Sequence, residues 1–480
     1  MKKQITQISY LQILAFLLFS IIFSNNAFTQ TPFVGIWEGA LEGQGMKIDL
    51  SFTISAEDKN QLSCTMDIPM QGAKDIAASA ITTKGQKLSI SYEMMSASYE
   101  GQLSKDEKEI QGTWSQHGME LELNLTKVRK AKGAPVRPQE PTEPFPYEIT
   151  ELHFHNEAAD HIELAGTLTM PEGEGPFPAV VLISGSGPQN RDEELMGHKP
   201  FWIIADHFSR NGIAVLRYDD RGVEYSQGDF STSTSADFAS DAAAAVQFLK
   251  QNPKIKSDEI GLCGHSEGGM IAPMAAANSD DYAFLVLMAG PGQNIVELLL
   301  LQSELISRSM GETEENIRKG TELNKRIYPI VVGEGSQDER KAKLKQLLKS
   351  DYENSTAEEQ RRQGSYESKF AQMERQLFNP WMEYFLKYDP IVNLKKVSCP
   401  VLAINGENDL QVAPKENLSG IRAALEAGLC DDFTIKEFEG LNHLFQHSET
   451  GSPMEYAQIE ETIAPEVLSF MTTWIQDQVK

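Results

Sequence analysis

Apolar and polar residues alternate along three stretches between residues 31 and 128. The apolar positions of these stretches are Ile48, Leu50, Phe52 and Ile54, then Leu88, Ile90 and Tyr92, then Leu121, Leu123 and Leu125. A period of two residues predicts β-strands that bury one face and expose the other. Gly85, Gly101 and Gly112 separate the strands. The pattern therefore predicts an all-β domain over residues 31–128.

From Tyr147 onward, continuous apolar runs replace this alternation. The runs are Ala179–Ile183, Ile213–Leu216, Ile260–Cys263, Phe284–Met288 and Val401–Ile404. Such runs are typical of strands that are buried on both faces. Between the runs, apolar residues recur at helical spacing, up to a last helix that carries Val467, Met471 and Trp474 on one face. Strands that alternate with helices predict a parallel sheet covered by helices, so residues 147–480 form an α/β domain.

Two segments interrupt this organisation. Residues 129–146 contain five prolines, which is typical of an extended, semi-rigid linker. Between about residues 295 and 388 the strand–helix alternation stops, and the chain becomes helix-rich and strongly charged, with acidic and basic residues in balance. A segment of this length is too long for a loop in a compact domain. We therefore predict a helical cap inserted over residues 295–388.

The first 30 residues have the pattern of an export signal. Lys2 and Lys3 precede the apolar run Leu11–Phe23, and small Ala27 follows it after two asparagines. The run is shorter than the roughly 20 residues that a membrane helix needs. A positive start, a short apolar stretch and a small-residue exit indicate a secretory signal peptide over residues 1–30, with an uncleaved anchor as the alternative. We expect a periplasmic or secreted protein without stable membrane insertion once the signal is removed.

Composition excludes several classes of protein. The chain has 480 residues, of which 40% are hydrophobic, so wholesale disorder is excluded. Lys and Arg number 43 against 69 Asp and Glu, which gives a formal net charge of −26. Such a surface repels phosphate backbones, so we expect no nucleic-acid partner. Four cysteines without a C-x-x-C pair predict at most one disulfide, and more readily none.

A nucleophile motif stands where two predicted elements meet. Gly264–Gly268 reads G-H-S-E-G, directly after the predicted strand Ile260–Cys263 and before a helix of small residues. A nucleophilic serine of this kind sits on a strained strand-to-helix turn, and the glycines leave room for that turn. The helix N-terminus then points its dipole at a developing oxyanion. We predict that Ser266 is the nucleophile.

A serine hydroxyl is a weak nucleophile without a base, and the base needs an acid to orient it. His443 and Asp409 each follow a predicted strand on the C-terminal side of Ser266. The resulting order along the chain, Ser–Asp–His, is that of α/β-hydrolases. Glu407 is the rival acid. We favour Asp409 because it lies further out along the loop.

The remaining site residues follow from the chemistry of acyl transfer. A tetrahedral intermediate needs two backbone N–H donors. We assign these to Glu267, just after the nucleophile, and to Ser186, in the glycine-containing loop after strand Ala179–Ile183. Trp381 and Phe385, at the end of the cap, could line an acyl pocket or simply pack against the hydrolase body.

The chemistry-bearing segments together resemble the α/β-hydrolase superfamily. They are Ser184–Asp192, Tyr218–Gly222, Gly264–Gly269, Asn405–Asp409 and Asn442–His443. Within the superfamily the chain is similar to bacterial esterases of the EstD type and to the hydrolase domain of serine aminopeptidases of the S33 class. The resemblance implies carboxylesterase-like chemistry with no metal or organic cofactor. Glu224 and Tyr225 depart from the family pattern, which has small and basic residues there.

The N-terminal β-region carries a second resemblance. Gly35–Gly39 reads G-I-W-E-G, and Gly112–Trp114 reads G-T-W. These glycine–tryptophan pairs resemble the start of lipocalin-like barrels, and the region resembles the N-terminal domain that secreted esterases often carry. The resemblance implies a small binding barrel. The alternative interpretation is a β-domain that packs against a neighbour.

Several functions are compatible with these motifs. The first is a secreted serine esterase that acts on small-molecule esters with small or medium acyl groups. The second is an aminopeptidase in which Glu267 pairs with a substrate ammonium, although an acid at a helix N-terminus also gains from the helix dipole. The third is an acyl-thioesterase, which the phosphates of coenzyme A disfavour on so acidic a protein. The paired histidines, His443 with His447 and His153 with His155, lack a zinc motif, so we expect no metal.

Overall fold

The structure is a computed structural model that describes residues 32–43, 46–56, 61–69, 73–116, 119–130, 136–277, 279–363 and 365–479. The predicted signal peptide lies outside these residues. The chain divides into two compact units. The first runs up to Leu41 and continues over Asp49–Asp67 and Lys74–Lys132, and the second takes Glu42–Ile48, Ile68–Ala73 and Gly133–Lys480.

The first unit is a ten-stranded sheet in which every strand pair defined by the described residues is antiparallel. Its strands are β1 (Gly35–Gly43), β2 (Met46–Ala56), β3 (Leu62–Ile68), β4 (Ala73–Ala77), β5 (Ala80–Lys84), β6 (Lys87–Tyr92), β7 (Ala97–Leu103), β8 (Glu109–Gln116), β9 (Met119–Glu122) and β10 (Leu125–Val128). The hydrogen-bonded order is β4-β3-β2-β1-β10-β8-β7-β6-β5, and β9 pairs with β8. The unit is a half-barrel, as the alternating pattern predicts.

Aromatic side chains fill the inner face of this half-barrel. Phe52 stacks on Tyr99 with ring centroids 5.8 Å apart, and Tyr92 lies 5.9 Å from Trp114. The indole of Trp37 is fully buried and donates a hydrogen bond to the Phe33 carbonyl. These rings contribute to the apolar core of the first unit.

The proline-rich segment is bonded to the second unit. The Arg137 guanidinium donates hydrogen bonds of 2.6–3.0 Å to the carbonyls of Met196, Ala457 and Ile459. The Gln139 side chain bonds to the backbone at residues 462 and 463. The segment predicted as a linker, residues 129–146, thus carries side chains that are hydrogen-bonded to backbone groups more than 300 residues away along the chain.

The second unit is built on an eight-stranded sheet. Its strands are β11 (Tyr147–Asn156), β12 (Ile162–Pro171), β13 (Phe177–Ile183), β14 (Ala214–Tyr218), β15 (Ile255–His265), β16 (Leu285–Met288), β17 (Val401–Gly406) and β18 (Phe433–Phe438). Their order is β11-β12-β14-β13-β15-β16-β17-β18. Both pairs made by β12 are antiparallel, and every pair from β14 to β18 is parallel. The predicted buried runs are therefore the central parallel strands.

Helices cover both faces of this sheet and also form the insertion between β16 and β17. In chain order they are α1 (Pro200–Arg210), α2 (Ser235–Lys250), α3 (Glu267–Ala276), α4 (Ile295–Ser309), α5 (Glu314–Val332), α6 (Gln337–Asn354), α7 (Ala357–Gln363), α8 (Tyr366–Leu377), α9 (Pro380–Lys387), α10 (Pro390–Leu394), α11 (Pro414–Glu426) and α12 (Pro465–Gln478). One apolar core joins the sheet to α2, α3 and α11. A second core joins the other face to α1 and α12. The predicted fold class, an α/β-hydrolase sheet with a helical insertion after an all-β domain, is confirmed.

Helices α4 to α9 form the insertion between β16 and β17. They pack around a core of their own that includes Ile327, Leu344 and Leu348. A separate cluster joins Phe385 of α9 to Met270 of α3. This contact ties the end of the cap to the helix that begins directly after Ser266.

None of the described helices is long and apolar enough to cross a membrane.

Candidate active site

Ser266 occupies a strained turn between β15 and α3. Its backbone angles are φ +54° and ψ −118°, a combination that an L-residue adopts at a cost of about 1–3 kcal/mol. A side chain at Gly264 would collide with the Gly268 carbonyl, and one at Gly268 would collide with the Ile183 carbonyl. The turn can therefore form only because both flanking positions are glycine. This is the elbow geometry predicted from the G-x-S-x-G motif.

The Asp409 carboxylate and the His443 imidazole are hydrogen-bonded. Asp409 Oδ2 lies 2.8 Å from His443 Nδ1, and both side chains are almost completely buried. The other carboxylate oxygen, Oδ1, accepts from the backbone N–H groups of Gln411 and Val412 at 2.8 and 2.9 Å. The acid is thus fixed by the backbone on one side and orients the imidazole with the other. In a neutral imidazole whose Nδ1–H donates to this carboxylate, the free lone pair is on Nε2.

The rival acid, Glu407, lies elsewhere. Its side chain is exposed, and its carboxylate accepts the Gly440 N–H at 2.9 Å. Of the two acids considered from the sequence, Asp409 is the one that the structure brings to His443.

Asn442 shapes the loop that carries His443, although the sequence pattern had assigned it no function of its own. Asn442 is fully buried, and its Oδ1 accepts the N–H groups of Leu444 and Gln446, each at 3.0 Å. Its side-chain amide also donates to the Gln446 side chain. These bonds fold the chain tightly on either side of His443.

The loop after β13 lies against the nucleophile. A Cβ built on Gly185 would stand 3.2 Å from the Cβ of Ser266. Asp220, at the end of β14, holds the loop by accepting the Ser184 hydroxyl at 2.8 Å and the Gln189 N–H at 3.0 Å. Burial raises the pKa of Asp220 to about 8, although both hydrogen bonds lower it. The Ser186 amide therefore belongs to a loop whose position is fixed by hydrogen bonds to Asp220.

The Glu267 side chain is turned into the protein. It is 2% exposed, and its Oε1 accepts the Ser235 hydroxyl at 2.6 Å and the Trp381 indole N–H at 2.8 Å. Burial raises the pKa of this carboxyl, and hydrogen bonds from Ser235, Trp381 and Ser186 lower it only in part. A carboxyl so enclosed is poorly placed to bind a substrate ammonium. Its backbone N–H lies in the first turn of α3, directly after Ser266.

The two cap aromatics lie at different depths. Trp381 is half-buried and reaches Glu267, next to the nucleophile. Phe385 stacks on it with ring centroids 5.1 Å apart and is buried against Met270 and Ile295. The structure thus brings Trp381 to the site and places Phe385 in the packing behind it.

A buried acid–histidine pair lies directly beside these groups. His265 precedes the nucleophile, and its Nδ1 lies 3.0 Å from Glu193 Oε1. Its Nε2 lies 2.9 Å from the His443 carbonyl, and the two imidazole rings are 4.8 Å apart. Burial acts to lower the pKa of His265, but the neighbouring Glu193 carboxylate raises it above its ordinary value. His265 is visible in the sequence as part of the G-x-S-x-G motif, but Glu193 is not, because no short spacing relates the two residues.

Two other expectations concern the surroundings of the site. Within the described part of the chain, no three His, Cys, Asp or Glu residues are grouped so as to hold a metal ion. All four cysteines are free thiols.

In the turn that departs from the family pattern, Glu224 has φ +46° and Tyr225 is 74% exposed.

One family model matches a long stretch of the second unit. A family model described as X-Pro dipeptidyl-peptidase (S15 family) matches residues 160–428, more than half of the chain. The resemblance to the hydrolase domain of a serine-peptidase class is confirmed, and the family that matches is S15 where we had named S33. Esterase EstD of Thermotoga maritima is 27% identical over 322 residues, which cover 64% of this chain and 65% of the esterase.

Other matches are shorter or more distant. A 2,6-dihydropseudooxynicotine hydrolase of Paenarthrobacter nicotinovorans is 30% identical over 129 residues, 26% of this chain and 31% of that enzyme. The chain thus spans less than two thirds of each of these curated relatives. An esterase of Pyrococcus furiosus superposes on 73% of this chain and 100% of its own, with 14% identity and a TM-score of 0.44.

Proposed function

Because the chain belongs to the family described as X-Pro dipeptidyl-peptidase (S15 family) and matches Esterase EstD over 322 residues, we propose that it is a serine hydrolase of carboxylic esters. We propose Ser266 as the nucleophile, His443 as the general base and Asp409 as the acid that orients it. The substrates are small molecules with small or medium acyl groups. The observation that carries the proposal is the 2.8 Å hydrogen bond between Asp409 and His443, in the same unit as the strained Ser266 elbow.

The proposed reaction has two halves. His443 Nε2 takes the Ser266 hydroxyl proton as the serine oxygen attacks the ester carbonyl. The tetrahedral oxyanion is held by the backbone N–H groups of Glu267 and Ser186. His443 then gives the proton to the departing alkoxide, which leaves an acyl-serine. A water molecule, activated by the same base, attacks the acyl-serine and releases the carboxylic acid.

The environment of Glu267 favours an ester over an N-terminal peptide. A peptidase that removes residues from a free N-terminus must hold an ammonium group, which an exposed carboxylate does best. The Glu267 carboxyl is buried and already accepts hydrogen bonds from Ser235 and Trp381, among others. The half-buried Trp381 instead offers an apolar surface next to the nucleophile, which suits an acyl chain.

Side-by-side turnover tests the proposal. The purified chain is assayed on nitrophenyl acetate, butyrate and octanoate, on an X-Pro nitroanilide, on an aminoacyl nitroanilide and on an acyl-coenzyme A. We expect the esters to be turned over best, and Ser266→Ala to reduce that turnover by at least about 10⁴-fold. Faster cleavage of either anilide or of the thioester would overturn the substrate class. Wild-type rates in Ser266→Ala would overturn the nucleophile.

Export is a separate proposal. It is supported by the charged start and the short apolar run of residues 1–30. Expression of the full chain followed by fractionation and N-terminal sequencing tests it. We expect the mature N-terminus to lie between Ala27 and Thr31, and a full-length protein retained in the cytoplasm would refute export.

A further inference from the structure

Three loops of the site meet at one buried pair. Glu193 Oε1 accepts the Gly185 N–H at 2.7 Å, in the loop that carries Ser186. The same oxygen contacts His265 Nδ1, in the residue before the nucleophile. His265 Nε2 contacts the carbonyl of His443. Glu193 and His265 are only 5% and 6% exposed, so solvent does not replace these contacts.

The contacts determine where the protons lie. Both ring nitrogens of His265 face oxygen atoms that can only accept, since one partner is a backbone carbonyl and the other is a carboxylate oxygen that also receives the Gly185 N–H. A neutral imidazole has only one N–H and would leave one of these contacts without a proton. The geometry therefore favours an imidazolium at His265, which donates one N–H to Glu193 and the other to the His443 carbonyl.

We propose that Glu193 and His265 form a positioning pair that holds the oxyanion loop and the His443 loop in register around Ser266. The inference rests on the proposed function, because positioning has meaning only for that reaction. Neither residue is a catalytic residue, since both are enclosed by protein and act through Gly185 and His443. The pair is distinct from the Asp409–His443 bond, which orients the imidazole of His443, whereas His265 holds its backbone.

The contact between Glu193 and Gly185 also indicates which amide of the loop can donate to the oxyanion. The Gly185 N–H is already engaged by Glu193, so the next amide along the loop, that of Ser186, is the one left to face a substrate. Displacing this loop by about 1 Å would cost about 10²-fold in rate. Loss of Glu193 should therefore slow the chemical step more than it weakens substrate binding.

Kinetics of matched variants test the proposal. Glu193→Gln keeps the size of the side chain and its acceptor but removes the charge, so His265 loses one N–H. His265→Gln removes the ring. Glu194→Gln, at the exposed neighbouring position, is the control. With an ester as substrate, we expect kcat to fall about 10²-fold in each pair variant, KM to stay within about threefold, and the double variant to be no worse than the poorer single variant.

Nitrogen NMR of ¹⁵N-histidine-labelled protein at pH 7 provides a second readout that does not depend on turnover. We expect two protonated nitrogens for His265, assigned by the signal that disappears in His265→Gln, and one protonated nitrogen in Glu193→Gln. A neutral His265 in the wild type would overturn the pair. So would Glu193→Gln kinetics equal to those of Glu194→Gln, or a loss confined to KM. If the wild type turns over no ester, the proposed function fails, and the NMR signal still decides whether the charged pair exists.

Discussion

The hydrogen bond between Asp409 and His443 can be tested by replacing one carboxylate oxygen of Asp409 with an amide nitrogen. In Asp409→Asn the side-chain oxygen can still accept the N–H groups of Gln411 and Val412, so the loop keeps its two backbone anchors. The amide nitrogen then takes the place of Oδ2, which lies 2.8 Å from His443 Nδ1. Because an amide NH₂ can only donate, the imidazole must present Nδ1 as an acceptor and carry its proton on Nε2.

The expected loss follows from that tautomer. In the proposed reaction His443 Nε2 takes the serine proton, and a nitrogen that already carries a proton can no longer do so. The equivalent change in a Ser-His-Asp triad lowers kcat by about 10⁴-fold. At about 1.36 kcal/mol for each factor of ten, this is about 5.4 kcal/mol of transition-state stabilisation. The stability cost should be smaller, about 1–3 kcal/mol, because one charge-assisted hydrogen bond is replaced and no cavity is created.

The assay compares three proteins on nitrophenyl butyrate: the wild type, Asp409→Asn and Glu407→Gln. Glu407 is an exposed acid on the same loop, bonded to Gly440 N–H, and it controls for a general loss of negative charge. We expect Glu407→Gln to retain kcat within about threefold. Thermal unfolding of each variant separates damage to the reaction from damage to the fold. If Glu407→Gln were the inactive variant, or if Asp409→Asn kept more than a tenth of wild-type kcat, the assignment of the acid would be refuted.

Two further predictions concern the cap and the buried acid. Trp381→Ala should change the preferred acyl length, while acetyl-ester turnover stays within about tenfold of the wild type. Phe385→Ala should mainly lower the free energy of unfolding, by about 3–5 kcal/mol, as measured by urea unfolding. Identical acyl-length profiles in the wild type and Trp381→Ala would show that Trp381 does not line the pocket. The pKa of Asp220 is raised from 3.8 to about 8, so the folded state binds the proton more tightly and stability falls as the pH rises through that range, by up to about 1.4 kcal/mol per pH unit. Relative to the wild type, Asp220→Asn should gain stability between pH 5 and 8 in urea unfolding, and a difference independent of pH would contradict the raised pKa.

Local sequence was sufficient to predict what depends on local chemistry. The central strands are recognisable because both of their faces are buried, which leaves continuous apolar runs such as Ala179–Ile183. The elbow at Ser266 is recognisable because its strained backbone needs glycine on both sides, and those residues are adjacent in the chain. The helical insertion was visible because it interrupts a regular alternation of strands and helices.

Composition was a poorer guide to the proline-rich segment. Prolines indicate an extended backbone, and that much is a local property. They do not indicate that Arg137 will find three carbonyls, two of them more than 300 residues away, and so fix the segment to the second unit. A truncated chain that begins at Tyr147 would leave those carbonyls without their donor.

The same distinction separates the site residues that the sequence identified from those it missed. Ser266, Asp409 and His443 each follow a strand, and the carboxyl ends of parallel strands share one edge of a sheet, so their positions along the chain predict that all three lie at that edge. Glu193 stands in an irregular loop 72 residues before His265. Its importance comes from a buried charge that must be paired, and burial is a property of the whole fold. A glutamate in a loop looks exposed in any sequence pattern, and only its enclosure between Gly185 and His265 shows that the three loops of the site depend on it.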